Sequence, residues 1–311
     1  MKNKIICITP IEHIGGLKKK IERKGKIIYE PYINKKNLFK LINNNKSINC
    51  IFCNPNKQSF ILDKKLLKNS GIKLINTAST GTNHINLSDC KSLGIKIFSL
   101  KKDTKLINTL PSTSELAFCL MISLLKNLVN SHNSVKIKKE WDYEKYMGQE
   151  LCSLTIGILG FGRLGKFMAK FCDAFGMRVL IHDKYKNSKK FENVSLNDLA
   201  KKSDIISLHV HLESQTKNMI NTSFLKKCKK NPIIINTSRG EIVNENDILE
   251  HLKKNIISGY GADVLTDELN NIKKSKIIKN MNKLNILITP HIGGMTWQGQ
   301  KKAFEWAVNK F

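Results

Sequence analysis

A short apolar run at 155–159 leads into Gly160-Phe161-Gly162-Arg163-Leu164-Gly165 and then into an apolar helical pattern. G-x-G-x-x-G between a strand and a helix is a phosphate cradle. The first glycine permits the tight turn, the second lets a pyrophosphate reach the backbone, and the third lets helix and strand pack closely. The helix start adds free N–H groups and the positive end of its dipole. Gly160, Gly162, Arg163, Leu164 and Gly165 are therefore candidate contacts to a dinucleotide; a tight strand–helix turn without ligand is the alternative. The next strand ends at His182-Asp183. A carboxylate at that place accepts from the adenosine ribose hydroxyls and repels a 2′-phosphate, which favours NAD over NADP. A turn acid or helix cap is the other reading of Asp183. His182 points to the opposite side of the strand and reads as structural.

These residues need a scaffold, and the chain alternates accordingly. Apolar runs at 5–9, 26–29, 49–53, 73–76 and 96–99 predict strands, with helices at 14–24, 37–45, 62–69 and 86–93 between them. A second alternation predicts strands at 155–159, 179–182, 205–209, 233–236, 259–263 and 286–288, with helices at 164–175, 196–202, 222–228, 245–254 and 296–310. Repeated strand–helix alternation implies parallel sheets with helices on both faces, an α/β fold. Ser112-Thr113-Ser114-Glu115 has the spacing of a capping box and predicts a helix from Ser112 to Val129, with more apolar surface than one face can bury. Residues 136–151 are polar with Trp141, Tyr143 and Tyr146, which predicts an extended arm.

Four further segments follow the glycine turn: 207–212 (Ser-Leu-His-Val-His-Leu), 236–240 (Asn-Thr-Ser-Arg-Gly), 261–268 (Gly-Ala-Asp-Val-Leu-Thr-Asp-Glu) and 289–294 (Thr-Pro-His-Ile-Gly-Gly). Each lies at the C-terminal end of a predicted parallel strand, where doubly wound sheets hold their ligands. In order and spacing the chain resembles the D-isomer-specific 2-hydroxyacid dehydrogenase family over essentially its whole length, and most strongly from 154 to 294. Within it the chain is similar to a short phosphoglycerate dehydrogenase without a regulatory domain. The resemblance implies two doubly wound parallel-sheet domains. A Rossmann NAD-binding domain at 106–287 is inserted into a flavodoxin-like substrate domain made of 1–105 and 288–311.

It also implies a catalytic set of Arg239, Glu268 and His291. Moving a hydride from a 2-hydroxy acid needs a base for the hydroxyl proton, which a histidine supplies near neutral pH. A carboxylate on the other ring nitrogen orients it, and an arginine fork holds the substrate carboxylate. Taken singly, Arg239 and Glu268 also read as a structural ion pair and His291 as a loop histidine. Further cofactor contacts implied by the family are His209, Thr237, Asp263 and Gly294. Thr80 and Gly81, in the loop 79–85, are implied to bind the substrate carboxylate beside Arg239 and His291; a plain glycine turn is the alternative. The substrate is expected in a cleft between the domains.

The chain departs from the family at His211, where many members have proline, and at Met295, where a small residue is common. Together with Trp297 and Lys57 these positions bear on the choice of acid. The expected reaction interconverts a D-2-hydroxy acid and its 2-oxo acid with NAD. 3-Phosphoglycerate is a candidate because of the lysines, with hydroxypyruvate or glyoxylate reduction as the alternative. A corepressor-like NAD sensor without turnover is the reading from another class. A homodimer through the 112–129 helix and the arm is expected.

Composition bounds the partners. The 53 Lys+Arg against 25 Asp+Glu give a formal charge of +28, yet only Arg23, Arg163, Arg178 and Arg239 are arginines. Lysine spread along the chain, with aromatics at 7%, lacks the Arg-and-aromatic face of a dedicated nucleic-acid binder. The longest apolar run, 116–125, is half of the ~20 residues that cross a bilayer. Thr9, Pro10, Glu12 and His13 interrupt the N-terminal apolar run before it resembles a signal sequence. The eight cysteines are scattered. Cys50 and Cys53 fall on opposite faces of one strand, which favours core packing over a redox pair or metal site. No metal and a cytoplasmic location are expected.

Overall fold

The computed structural model describes residues 3–55, 60–266, 268 and 272–311. Two compact units emerge, one of residues 1–110 with 294–311 and the other of residues 111–293. The joints thus lie at Leu110/Pro111 and Gly293/Gly294, a few residues beyond the boundaries 105/106 and 287/288 drawn from sequence. Short helical turns at Leu100–Lys102 and Thr104–Ile107 precede the first joint and stay with the first unit.

The first unit is built on β1 (Asn3–Cys7), β2 (Gly25–Tyr29), β3 (Cys50–Cys53), β4 (Leu74–Thr77) and β5 (Lys96–Ser99). They form a parallel sheet in the order β2-β1-β3-β4-β5, the flavodoxin-like order. Its runs of Ile and Cys are apolar on both faces because helices cover both. Cys53 packs with Leu38, Leu62 and Leu66 on one side, and Cys50 with Leu17, Ile21 and Phe304 on the other. Both are free thiols, and burial pushes the Cys50 thiol up to about 11. The C-terminal helix Trp297–Val308 belongs to this sheet. Ala303, Phe304 and Ala307 join its core, Trp306 Nε1 donates to Asp103 at 2.7 Å, and Lys20 pairs with Glu305 at 2.6 Å.

The second unit holds β6 (Thr155–Leu159), β7 (Arg178–His182), β8 (Glu192–Asn193), β9 (Ile205–Leu208), β10 (Ile233–Asn236), β11 (Gly259–Ala262) and β12 (Ile286–Ile288). Their order is β12-β11-β10-β9-β6-β7-β8, all parallel. This is the doubly wound Rossmann order, with its topological switch between β6 and β9. The two-residue edge strand β8 has no sequence signal, because a polar Glu-Asn pair carries no periodicity.

The capping box does not form. Pro111 is the N-cap of the helix Ser112–Leu125, so Ser112 already lies in the first turn. Ser114 is fully buried and donates instead to the carbonyl of Leu164, at 2.9 Å. The helix also ends earlier than expected. Asn127 adopts φ 51 and a separate helix Leu128–Asn133 follows. An asparagine tolerates the left-handed region that stops a helix. Gly261 lets the first of these helices approach β11, since a Cβ there would stand 3.0 Å from Leu124. Among the described residues no single helix is long and apolar enough to cross a membrane.

Candidate active site

The glycine turn sits at the end of β6, at the switch point. Gly160 has φ +98, and a Cβ on it would stand 2.7 Å from the backbone of His209, at the end of β9. A Cβ on Gly165 would stand 2.0 Å from the Gly160 carbonyl oxygen. These two glycines hold helix and strands together. Gly162, by contrast, faces open space and caps the helix Arg163–Ala174 without a side-chain bond. The helix start is left for an anion. Two buried polar atoms on the neighbouring strand ends, His209 Nδ1 and Thr237 Oγ1, have no partner. An open helix start and orphaned polar groups around it fit a dinucleotide, which would lie over Gly162 and reach His209 and Thr237.

His209 is half-buried with its Nδ1 out of solvent, and loss of solvation pushes it down to about 4, so its ring is neutral at ordinary pH. Its Nε2 lies 2.9 Å from Ser207 Oγ. Asp183 takes the turn-acid role and has an acceptor to spare. Its Oδ1 accepts from the backbone of Tyr185 at 2.8 Å and Lys186 at 3.0 Å, as a turn acid does. Its Oδ2 accepts from Phe161 N at 2.6 Å and ties the glycine turn to the end of β7. A carboxylate has about four acceptor sites, so one remains for a ribose hydroxyl. His182 turns away and bonds the Val194 carbonyl at 2.9 Å.

Beyond β10, Asn236 shapes the loop that carries Arg239: it accepts from Ser238 N at 3.1 Å and donates to the Arg239 carbonyl at 2.9 Å. The guanidinium of Arg239 donates to the Ser238 carbonyl at 2.6 Å, which leaves most of its five N–H groups for another acceptor. Gly240 is needed beneath it, because a Cβ there would overlap the backbone of Leu265 and Thr266. Glu268 and His291 meet directly, with Oε1 and Nδ1 at 2.6 Å. The acid's other oxygen accepts from Leu265 N at 3.2 Å. With Nδ1–H given to the carboxylate, Nε2 carries the lone pair and can take or return a proton.

His291 itself has φ 55, an uncommon conformation for a non-glycine residue, of the kind that clusters at active sites. Asp263 holds it there. Its Oδ1 accepts from Thr289 Oγ1 at 2.5 Å and Ile292 N at 2.8 Å, and its Oδ2 accepts from Gly293 N at 2.7 Å. Burial raises the Asp263 pKa, against the opposing pull of those three donors.

The remaining expected positions lie elsewhere. Thr80 and Gly81 belong to the first unit, in the loop after β4. Gly294 opens that unit's C-terminal segment, its carbonyl taken by Gln300 at 2.8 Å. His211, Met295 and Trp297 are exposed; Lys57 lies outside the described residues. Sequence reasoning gave no role of their own to Ser207, Asn236 and Thr289, and read Ser114 as part of a helix cap. The only signal for them is a small polar residue at a position the pattern buries. Among the described residues no group of His, Cys, Asp and Glu can hold a metal ion.

A family model described as "D-isomer specific 2-hydroxyacid dehydrogenase, NAD binding domain" matches residues 118–293. The chain is 36% identical to a glycerate dehydrogenase of Methylorubrum extorquens over 71% of its own length and 69% of that protein. It is 33% identical to a hydroxypyruvate reductase of Thermotoga maritima over 74% of both. Among solved structures it superposes on a D-lactate dehydrogenase of Aquifex aeolicus, complexed with NAD and lactic acid, with a TM-score of 0.82 and 29% identity, covering 99% of this chain and 94% of that one. The match spans the sheet that carries the glycine turn, Arg239 and His291, and with it this NAD-binding enzyme belongs to the D-isomer specific 2-hydroxyacid dehydrogenase family.

Proposed function

We propose that the chain reduces hydroxypyruvate to D-glycerate, or its two-carbon analogue glyoxylate to glycolate, with NADH, and runs in reverse with NAD. The observation that carries the chemistry is the 2.6 Å pair of His291 Nδ1 and Glu268 Oε1. Gly162 and Asp183 would hold NAD at its pyrophosphate and ribose, and the bound cofactor would supply or accept the hydride. His291 Nε2 gives a proton to the carbonyl oxygen during reduction and takes one from the hydroxyl during oxidation. Glu268 stabilises the charged ring and fixes its tautomer. Arg239 grips the substrate's carboxylate and carbonyl oxygen, and Thr80 and Gly81 complete the carboxylate site. Thr237, His209, Asp263 and Gly294 are assigned to the cofactor.

The substrate choice is supported by the two relatives above, whose names describe the two directions of one redox couple, glycerate and hydroxypyruvate. 3-Phosphoglycerate is the second reading, favoured by the excess of lysine. The assembled His291–Glu268 pair speaks against an NAD sensor without turnover. The test is NADH oxidation with glyoxylate, hydroxypyruvate, pyruvate and phosphohydroxypyruvate. A kcat/KM highest for the phosphorylated acid moves the assignment to the second reading, and no turnover on any of them removes the enzyme reading.

A homodimer in the cytoplasm is part of this proposal. Ile137, Trp141, Tyr143 and Met147 are each more than two-thirds exposed, a run of apolar surface that calls for a partner. It follows the helices Ser112–Leu125 and Leu128–Asn133 in the chain, and a second copy is its proposed cover. A monomer by light scattering at micromolar concentration contradicts it. The eight free cysteines suit a reducing compartment.

A further inference from the structure

Behind the loop of Thr80 and Gly81 lies a line of hydrogen bonds whose direction can be assigned. Ser79 Oγ stands 2.6 Å from the Gly81 carbonyl oxygen, Thr77 Oγ1 stands 2.9 Å from Ser79 Oγ, and His84 Nε2 stands 3.0 Å from Thr77 Oγ1. A carbonyl only accepts, so the single hydroxyl proton of Ser79 goes to Gly81. Thr77 must then donate to Ser79, and its own oxygen must accept from His84. His84 therefore carries its proton on Nε2. Its Nδ1, buried and without a partner, holds the lone pair. Thr77 and His84 are buried, and desolvation pushes His84 down to about 4, which keeps the ring neutral and the line intact.

The line acts where the backbone is otherwise loose. The loop's ends are tied by main-chain bonds, the Ser79 carbonyl to Leu100 N at 3.0 Å and the His84 carbonyl to Leu62 N at 2.9 Å. Between them the one main-chain bond runs from Ile85 N to the Thr82 carbonyl. Among the described residues nothing accepts from the N–H groups of Thr80, Gly81 or Thr82. The Gly81–Thr82 peptide is trans, so a carbonyl drawn toward Ser79 turns the Thr82 N–H the opposite way. Successive N–H groups presented outward suit an anion.

We infer that His84, through Thr77 and Ser79, is a positioning residue that orients the Gly81–Thr82 peptide to bind the substrate's carboxylate. This rests on the reading of the loop as the carboxylate site, and the experiment separates the two. The probes are glyoxylate turnover and the Kd of oxamate, an unreactive carboxylate, on the NADH complex. Thr77→Val and Ser79→Ala preserve size, and His84→Leu removes the donor. Each should raise the KM for glyoxylate and the Kd for oxamate about tenfold, with kcat within about threefold and the Kd for NADH unchanged. His84→Gln, whose amide N–H can stand near the Nε2 position, should recover most of the loss. Gly81→Val tests the loop itself. A raised KM in Gly81→Val with unchanged values in Thr77→Val and Ser79→Ala overturns the relay alone. Unchanged values in all of them overturn the carboxylate loop and the relay together. A Gln variant as impaired as the Leu variant overturns the assigned direction.

Discussion

Asp263 lies under Gly293 and accepts its backbone N–H at 2.7 Å, while its other oxygen takes Thr289 and Ile292, so that one buried carboxylate grips the chain on both sides of His291. The strained φ of 55 at His291 is sustained by this grip. Asp263→Asn sets an amide N–H against a backbone N–H where one oxygen stood. A buried donor left unsatisfied costs about 1–3 kcal/mol. The expected result is a Tm lowered by several degrees together with a kcat reduced at least tenfold, read by calorimetry and NADH oxidation. Wild-type kcat in this variant would show that the loop keeps its shape without the carboxylate.

Arg239 is one of four arginines among 53 basic residues. A lysine cannot reproduce a planar fork that binds a carboxylate at two points. Arg239→Lys should lose about 2–4 kcal/mol in kcat/KM, or roughly 30- to 1000-fold, with NADH affinity nearly unchanged. A Lys variant that keeps most of its kcat/KM means that the side chain acts only as a charge.

His291→Gln removes the proton-transferring nitrogen and leaves the glycine turn intact. Turnover should drop by about 10²-fold or more, with NADH binding retained by fluorescence titration. Near-normal turnover would place the acid–base group elsewhere.

Asp183 bears on two measurements at once. The wild-type enzyme should prefer NADH to NADPH, although Lys184, Lys186, Lys189 and Lys190 follow in sequence. Asp183→Ala should narrow that ratio, because repulsion of a 2′-phosphate disappears. It should also weaken NADH itself, since Phe161 N loses its acceptor at the glycine turn. A wild-type preference for NADPH refutes the assignment.

His84 and His209 are both held down to about 4 by burial, against an ordinary value of 6.5. The unfolded chain therefore takes up protons first as pH falls. Their contribution is fully present above pH 6.5 and is lost between 6.5 and about 4, on the order of 3 kcal/mol for each. Asp263, with its raised pKa, works in the opposite direction. Urea midpoints measured from pH 7.5 to 4.5 should fall, and more shallowly in His84→Leu. A flat profile contradicts the desolvation of both rings.

Much of this protein is legible from its residues in order. Buried parallel strands are short unbroken apolar runs, as at 205–208 and 233–236, and they declare themselves without partners. The glycine turn is equally local, because its three constraints act within six residues. Arg239 and His291 stand at strand ends, and a doubly wound sheet brings strand ends together wherever the strands lie in sequence. Tertiary structure alone decided the rest. Ser114 reads as part of a cap, yet Pro111 takes the cap position and Ser114 reaches fifty residues along the chain to Leu164. Asp183 reads as a ribose ligand, and folding adds the bond that secures the glycine turn. The hold of Asp263 on the His291 loop, and the line from His84 to Gly81, have no sequence signature. Periodicity reports which side of an element is buried. The partner a buried polar atom finds depends on which elements pack together, and that is decided only when the chain closes on itself.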